Sequence, residues 1–289
     1  MRIASREQVA MRVQTKTRKA LLSAATAAGK IIKKRFRSRR IDRTRKSAIG
    51  DYVTNVDLEA ERKIRQILRA AFPEALLIGE EGGAQEAKAA TTTTADRREA
   101  IYIDPLDGTL NFIHGFDLFA VSIGYWKNGE PIAGVVYNPV AGELFYAARG
   151  QGAFRNGVPI EASKNRSLGD SLIATGWPYN KQESAVLLRY AGRFLQKAQE
   201  VRAIGCASLA LCYVAAGFFD GYWEWDLYPW DLAAGVVIAL EAGCRITDLR
   251  GEGFRLESGA VVSSNGLIHD EILEGLKEQG ETHNNDKNG

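Results

Sequence analysis

The chain reads as a layered α/β protein, helices packed on sheets, and three observations predict this. Apolar residues recur at helical spacing in two early stretches, 17–37 and 58–71. A long run of β-forming segments follows, punctuated by the Asn-Gly turns of "KNGE" and "RNGV". After Ser163 helical and strand patterns alternate. A chain of 289 residues, 45% of them hydrophobic, can bury the core such layers need.

In chain order, the first helix places Leu21, Leu22, Ala25, Ala28, Ile31 and Ile32 along one face. The second runs over 58–71 with Asp57 as its cap. The segment between them, "RSRRIDRTRKSAIGDYVTN", has no periodicity and reads as a mobile loop. "ALLIGEE", "AIYIDP", the hairpin-rich stretch from "FAVSIGYW" to "RNGVPI", and later "SLIATG" read as strands of an antiparallel sheet. Then come helices in "SAVLLRYAGRFLQKA" and "GCASLALCYVAAG", a strand in "FDGYWEW", a helix in "DLAAGVVIALEAG" opened by Asp231, and a strand in "CRITDL". The expected organisation is an N-terminal extension over 1–16, an α+β half over 17–160 with the large sheet, an α/β half over 161–278 and a fraying tail over 279–289.

Charge is unevenly placed. Residues 30–46 hold ten basic side chains and one acid, Asp42, so the formal charge of +3 conceals a remainder with 28 basic against 34 acidic residues. An acidic body with a basic tract suits a cation site that handles an anionic substrate. Cys206, Cys212 and Cys244 lie in apolar runs without CxxC spacing, which favours buried thiols in a reducing compartment. No apolar run reaches the ~20 residues of a membrane span, and no signal peptide is evident, so a cytoplasmic protein is expected.

The chemistry concentrates in "IYIDPLDGTLNF". Asp104 and Asp107 are three apart, so in a regular strand they would face opposite ways; Pro105 and the Asp107-Gly108 turn must bend the chain for them to converge. Carboxylates and a carbonyl around one point suit a hard cation such as Mg²⁺, and no His or Cys is at hand to favour zinc. Thr109 can start a helix whose first N–H groups, at Gly108 and Thr109, point at an anion. "LLIGEEGG" ends a buried strand in Glu80 and Glu81, and "PWDLAAG" puts Asp231 at a helix start. Strand ends and helix starts are where layered α/β folds hold ligands.

Over about residues 17–266, "DYVTNVD", "IGEE", "DPLDGTLNFIHG", "VSIG", "GVVYNP", "GQGAF" and "WDLAAGVVIALEAG" together resemble the inositol monophosphatase family of Mg²⁺-dependent, lithium-sensitive sugar phosphatases. The resemblance implies an α-β-α-β-α sandwich, two or three Mg²⁺ ions per subunit and a homodimer. It implies that Glu81, Asp104, the carbonyl of Leu106, Asp107 and Asp231 hold the metals. Asp57 and Thr109 would orient the attacking water, with Lys46 in a loop that closes over the site. Substrate contacts would come from Asp107, Gly108, Thr109, Ala207, Glu224 and Asp231, Glu224 accepting from sugar hydroxyls. Asp117 and Cys244 depart from the family pattern without touching these ligands, whereas Trp223, Trp225, Asp226 and Tyr228 crowd Glu224 and bear on which polyol fits.

Alternatives divide by class. Haloacid-dehalogenase phosphatases place one residue between two aspartates; here two intervene, which excludes that reading. His114, His269 and His283 form no triad, and His114 reads as a helix-end residue. Within the phosphatase class, fructose-1,6-bisphosphatase and histidinol-phosphatase remain alternatives to inositol-1-monophosphatase. From another class comes a binding module that uses tract 30–46 on RNA or a transcription complex.

Overall fold

The computed structural model describes residues 6–38, 41–46, 51–82, 99–178 and 181–277, with side chains from Thr15 onward. Strands β3 (Leu76–Gly79), β4 (Glu99–Asp107), β5 (Ala120–Lys127), β6 (Glu130–Asn138), β7 (Glu143–Ala148), β8 (Ala153–Arg155) and β9 (Val158–Ile160) form a seven-stranded sheet in that order. It is antiparallel except for β3 and β4, which run parallel because a connection, not a tight hairpin, joins them. Both Asn-Gly turns form as predicted: Asn128, Gly129, Asn156 and Gly157 all have positive φ, the twist that a two-residue hairpin needs.

The period-2 alternation of the central strands sorts their side chains between two cores. Ile101, Ile103, Val121 and Ile123 meet Leu21, Ala25, Ala28, Ile32, Ile64 and Leu68 from helices α1 (Arg6–Arg35) and α2 (Asn55–Ala71). On the opposite face Tyr102, Trp126 and Val136 meet α5 (Ala207–Ala215) and α6 (Pro229–Glu241). Those two helices are covered in turn by a five-stranded sheet containing β10 (Leu172–Thr175), β11 (Glu200–Ala203), β12 (Gly221–Glu224), β13 (Arg245–Thr247) and β14 (Val261–Ser264). Its outer face carries α4 (Ser184–Lys197) and α7 (His269–Leu276) around Phe194, Trp223 and Ile272. The five layers are the expected α-β-α-β-α sandwich.

Helix α6 lies unusually close to the large sheet. A Cβ on Gly124 would sit 2.6 Å from the carbonyl carbon of Ala233, and one on Gly134 2.5 Å from the carbonyl oxygen of Ala234. Because these obstacles are backbone, adding a methyl at either position would force the layers apart at about 1–3 kcal/mol. Ser122 Oγ donates to the Trp230 carbonyl (3.2 Å) and Trp126 Nε1 to that of Ala233 (3.1 Å), so the docking of α6 has a fixed register on the sheet.

Several expectations are corrected. Helix α1 begins at Arg6, so most of the segment read as an extension is helical. Helix α2 is capped by Thr54, whose Oγ1 accepts from Val56 N–H (3.1 Å), and Asp57 is the third helical residue of a capping box. Part of the segment read as a loop is a hairpin, β1 (Arg43–Arg45) on β2 (Tyr52–Thr54). "SLIATG" belongs to the second sheet, parallel to its neighbours β11 and β12. Asp231 does not open α6, which starts at Pro229; β11, β14 and α7 went unread because their apolar runs are short. The predicted fraying tail, Arg39, Arg40 and residues 47–50 lie outside the described residues. All three cysteines are free and buried, and no described helix is long and apolar enough to cross a membrane.

Candidate active site

The bend demanded by the Asp104–Asp107 spacing is a β-bulge. Asp104 pairs with Ser122 and Asp107 with Ala120, so between these pairs two residues on β4, Pro105 and Leu106, oppose one on β5, Val121. The additional residue restores both acids to one side of the sheet, the side on which α6 lies. Asp104 Oδ1 accepts from the Leu106 N–H (2.9 Å), which stiffens the turn. Asp107 Oδ2 accepts from the Ser208 N–H at the start of α5 (2.7 Å) and from the Cys206 thiol (3.1 Å). Gly108, at φ 89°, then takes the chain into the single turn α3 (Thr109–Ile113), which ends at His114. A Cβ on Gly108 would lie 3.0 Å from the Leu118 carbonyl oxygen, so sterics and conformation both require glycine.

Asp231 reaches this point from α6, with Oδ2 accepting from Tyr228 N–H (2.7 Å) and its carboxyl near enough to Asp104 for the two to influence each other's ionisation. Burial raises all three aspartates above the ordinary carboxylate range. For Asp104, Glu80, Asp107 and Asp231 push further the same way, and for Asp231 so do Asp107 and Glu80. Buried like charges without a cation are the reverse of what stability alone would select.

Asp57 uses its two oxygens differently. Oδ2 accepts from Thr54 N–H (3.0 Å) and from the Thr54 hydroxyl, completing the cap of α2. Oδ1 accepts from Thr109 Oγ1 (3.0 Å), a hydroxyl that also lies 2.9 Å from the Leu106 carbonyl oxygen. The helix cap therefore holds this carboxylate in a fixed orientation. Burial pushes its pKa up to about 6, so it is ionised at neutral pH.

Glu80 and Glu81 form the turn after β3, and Lys46 Nζ binds both, at 2.8 Å and 2.6 Å. Burial and Glu80 push Glu81 up to about 8 against the pull of Lys46, whereas Lys46 is raised because the two acids outweigh its burial. In the five-stranded sheet, Glu224 at the end of β12 accepts from the Tyr222 hydroxyl, and burial pushes it up to about 8. It presses on Gly176, where a Cβ would overlap its carboxylate at 1.9 Å. Ala207 is the first residue of α5, beside the Ser208 amide that binds Asp107.

The structure thus draws Asp104, Asp107 and Asp231 into one electrostatic cluster that also feels Glu80, with Asp57 and Thr109 joined by a hydrogen bond and Glu81 tied to Lys46. Sequence reasoning missed Cys206 and Ser208, which brace Asp107, and Tyr222, which braces Glu224. Their spacing to those partners is long or local to a strand, with no motif to mark it. Among the described residues no three His, Cys, Asp or Glu side chains are gathered tightly enough to hold a metal as they stand. The donor chemistry still fits a hard cation: oxygen atoms only, net negative, and with mutual repulsion that a cation would relieve.

Residues 13–281 match the inositol monophosphatase family. The chain is 38% identical over 260 residues to Nus factor SuhB of Vibrio cholerae, covering 90% of this chain and 95% of that protein. It is 42% identical over 223 residues to an inositol-1-monophosphatase of Rhizobium meliloti, covering 76% and 80%. The crystal structure of the extragenic suppressor protein SuhB from Bartonella henselae superposes with a TM-score of 0.83 at 34% identity, covering 91% of this chain and 99% of that one. The matched span takes in nearly the whole chain, and the chain belongs to the inositol monophosphatase family.

Proposed function

We propose that this protein is a Mg²⁺-dependent phosphomonoesterase that hydrolyses inositol monophosphate by direct attack of water. The observation that carries the reading is the Thr109 hydroxyl held between Asp57 and the Leu106 carbonyl at the edge of the buried aspartates. Glu81, Asp104, the Leu106 carbonyl, Asp107 and Asp231 would hold the ions. What Mg²⁺ supplies when bound is positive charge against the attacking and leaving oxygens and easier ionisation of a water.

The chain's own residues perform the remaining work. Thr109 has one hydroxyl proton; when Asp57 accepts it, the threonine oxygen offers a lone pair to a water and fixes its direction of approach. Asp57 can do this at neutral pH because it is already ionised there. The amides of Gly108 and Thr109, at the start of α3, are the donors assigned to the phosphate. Glu224 accepts from polyol hydroxyls, with Tyr222 orienting its carboxyl. Lys46, on the hairpin end, adds positive charge beside Glu81.

Phosphate release from inositol 1-phosphate, fructose 1,6-bisphosphate, histidinol phosphate and p-nitrophenyl phosphate tests this reading. Activity should require Mg²⁺, fall with Li⁺ and be highest on inositol 1-phosphate; full activity in excess EDTA would reject the metal. A second reading rests on the Nus factor relative and on the exposed pair Arg43 and Arg45, whose guanidinium groups lie 5.7 Å and 5.8 Å from the Tyr52 ring. In that reading the hairpin binds RNA or a transcription complex. Failure of RNA to bind at low salt would remove it.

A further inference from the structure

Behind the Glu80–Gly82 turn lies an ion pair that no catalytic role has used. Glu61, buried on α2, splits its carboxylate: Oε2 accepts from the Glu81 N–H (2.9 Å) and Oε1 from Arg65 Nε (2.6 Å), one helical turn on. Arg65 Nη1 in turn reaches the Leu77 carbonyl oxygen of β3 (3.4 Å). The pair therefore grips the strand and the turn that leaves it.

The chain makes room for this grip. A Cβ on Gly79, the last residue of β3, would lie 2.4 Å from Glu61 Oε1 and 2.7 Å from Arg65 Nη2. The φ of Gly79 is not positive, so glycine is needed here for space alone. An open cleft of about 550 Å³ lined by Leu58, Glu61, Arg62, Arg65, Glu81 and Gly82 borders the pair. Pairing with Arg65 also offsets the Glu61 charge, so the grip adds no net negative charge beside Glu81.

Resting on the reading of Glu81 as a metal ligand, we propose that Glu61 and Arg65 are positioning residues that set the Glu81 backbone and so aim its carboxylate at the cation. Glutamine at 61 has one acceptor oxygen and an NH₂ that opposes a donor, so Glu61→Gln must release either Glu81 or Arg65. Gly79→Ala displaces the same pair from the other side, and only the tips of two flexible side chains need to move.

The test uses the full chain, stripped of metal and titrated with Mg²⁺ by calorimetry, alongside hydrogen exchange at the Glu81 amide and turnover at saturating Mg²⁺. Both variants should bind Mg²⁺ about 10–100-fold more weakly, exchange the Glu81 amide faster, and recover turnover to within a few-fold once saturated. Arg62→Met, which loses only a bond to its own helix at Leu58, should match the wild type. Unchanged Mg²⁺ affinity and unchanged exchange in both variants would overturn the proposal. So would a lower melting temperature with unchanged affinity, because that is the mark of a structural pair. If the wild type takes up no Mg²⁺, or Asp104→Asn binds it equally well, the phosphatase reading fails instead, and the Glu81 exchange rate still decides whether the grip exists.

Discussion

Two buried polar clusters in this molecule follow opposite rules. Around His269 every polar atom has a partner. Thr247 Oγ1 donates to the Asp248 carbonyl (2.8 Å), so it accepts from His269 Nε2–H (2.9 Å), and His269 Nδ1 then accepts from Ser264 Oγ (2.8 Å). The ring is neutral: burial, helped by Arg245, lowers its pKa to about 4. Around Asp104 the neighbours are acids: Glu80, Asp107 and Asp231 push Asp104 up beyond the effect of burial, and Asp107 and Glu80 do the same to Asp231. A polar cluster whose atoms all pair holds a fold together, whereas a cluster of acids keeps a mutual repulsion that a cation would relieve.

The contrast is broken most directly at the acids. Asp107→Asn and Asp231→Asn should each lower turnover on the order of a thousandfold, because each removes charge and keeps shape. The metal-free melting temperature should stay level or rise, by about 0.5–2 kcal/mol of stability. Wild-type turnover at saturating Mg²⁺ would sink the assignment. At the other cluster the signs reverse. His269→Ala should lose about 2–4 kcal/mol of stability through a cavity and the loss of the ring's two buried hydrogen bonds, with phosphate release per folded molecule unchanged.

Acidity sharpens the same comparison. His269 titrates at about 4 folded against 6.5 unfolded, so its contribution is full above pH 6.5 and is lost as pH falls toward 4, up to about 3 kcal/mol. The aspartates are raised in the folded state, so their contribution runs the other way: it is present at low pH and lost as pH rises through the raised values. Thermal melts of the metal-free protein across this range should show a low-pH loss that His269→Ala abolishes and a high-pH loss that Mg²⁺ or Asp231→Asn reduces. Flat curves would mean that neither cluster is coupled to folding.

Smaller effects follow at the rim. Glu224→Gln should raise KM for inositol 1-phosphate about tenfold and barely change it for p-nitrophenyl phosphate, since only the polyol presents vicinal hydroxyls. Equal losses on both would make Glu224 structural. Smallest of all, changing Arg43 and Arg45 to Ser should leave hydrolysis within a few-fold. If the hairpin binds RNA, the same change should flatten the salt dependence by roughly 0.7 per lost contact. Arg37 is not an equivalent probe, because its guanidinium already lies 3.4 Å from the Gly115 carbonyl oxygen.

Much of the site could be read from residue order because its signals are local. The Thr54–Asp57 box, the Asn-Gly hairpins and the Asp104–Asp107 spacing each act through bonds spanning a few residues, so their pattern survives in one dimension. The bulge itself was foreshadowed by that spacing. Asp57 and Asp231 were both read as helix openers because an acid near a helix start looks alike at the first and third positions; only the backbone bonds to Thr54 and Tyr228 separate the cases.

By itself, then, the order of residues determined the layered class, the hairpins and which acids were candidates. Tertiary structure alone decided that they meet. Asp231 reaches Asp104 because Gly124 and Gly134 let α6 lie directly on the sheet, contacts made across about a hundred residues. Lys46 finds Glu81 over 35 residues, and Glu61 finds the same turn over 20. Such pairings depend on how faces pack rather than on spacing along the chain, because loop closure costs little more for a long loop than for a short one and local sequence carries no record of which surface a helix will cover.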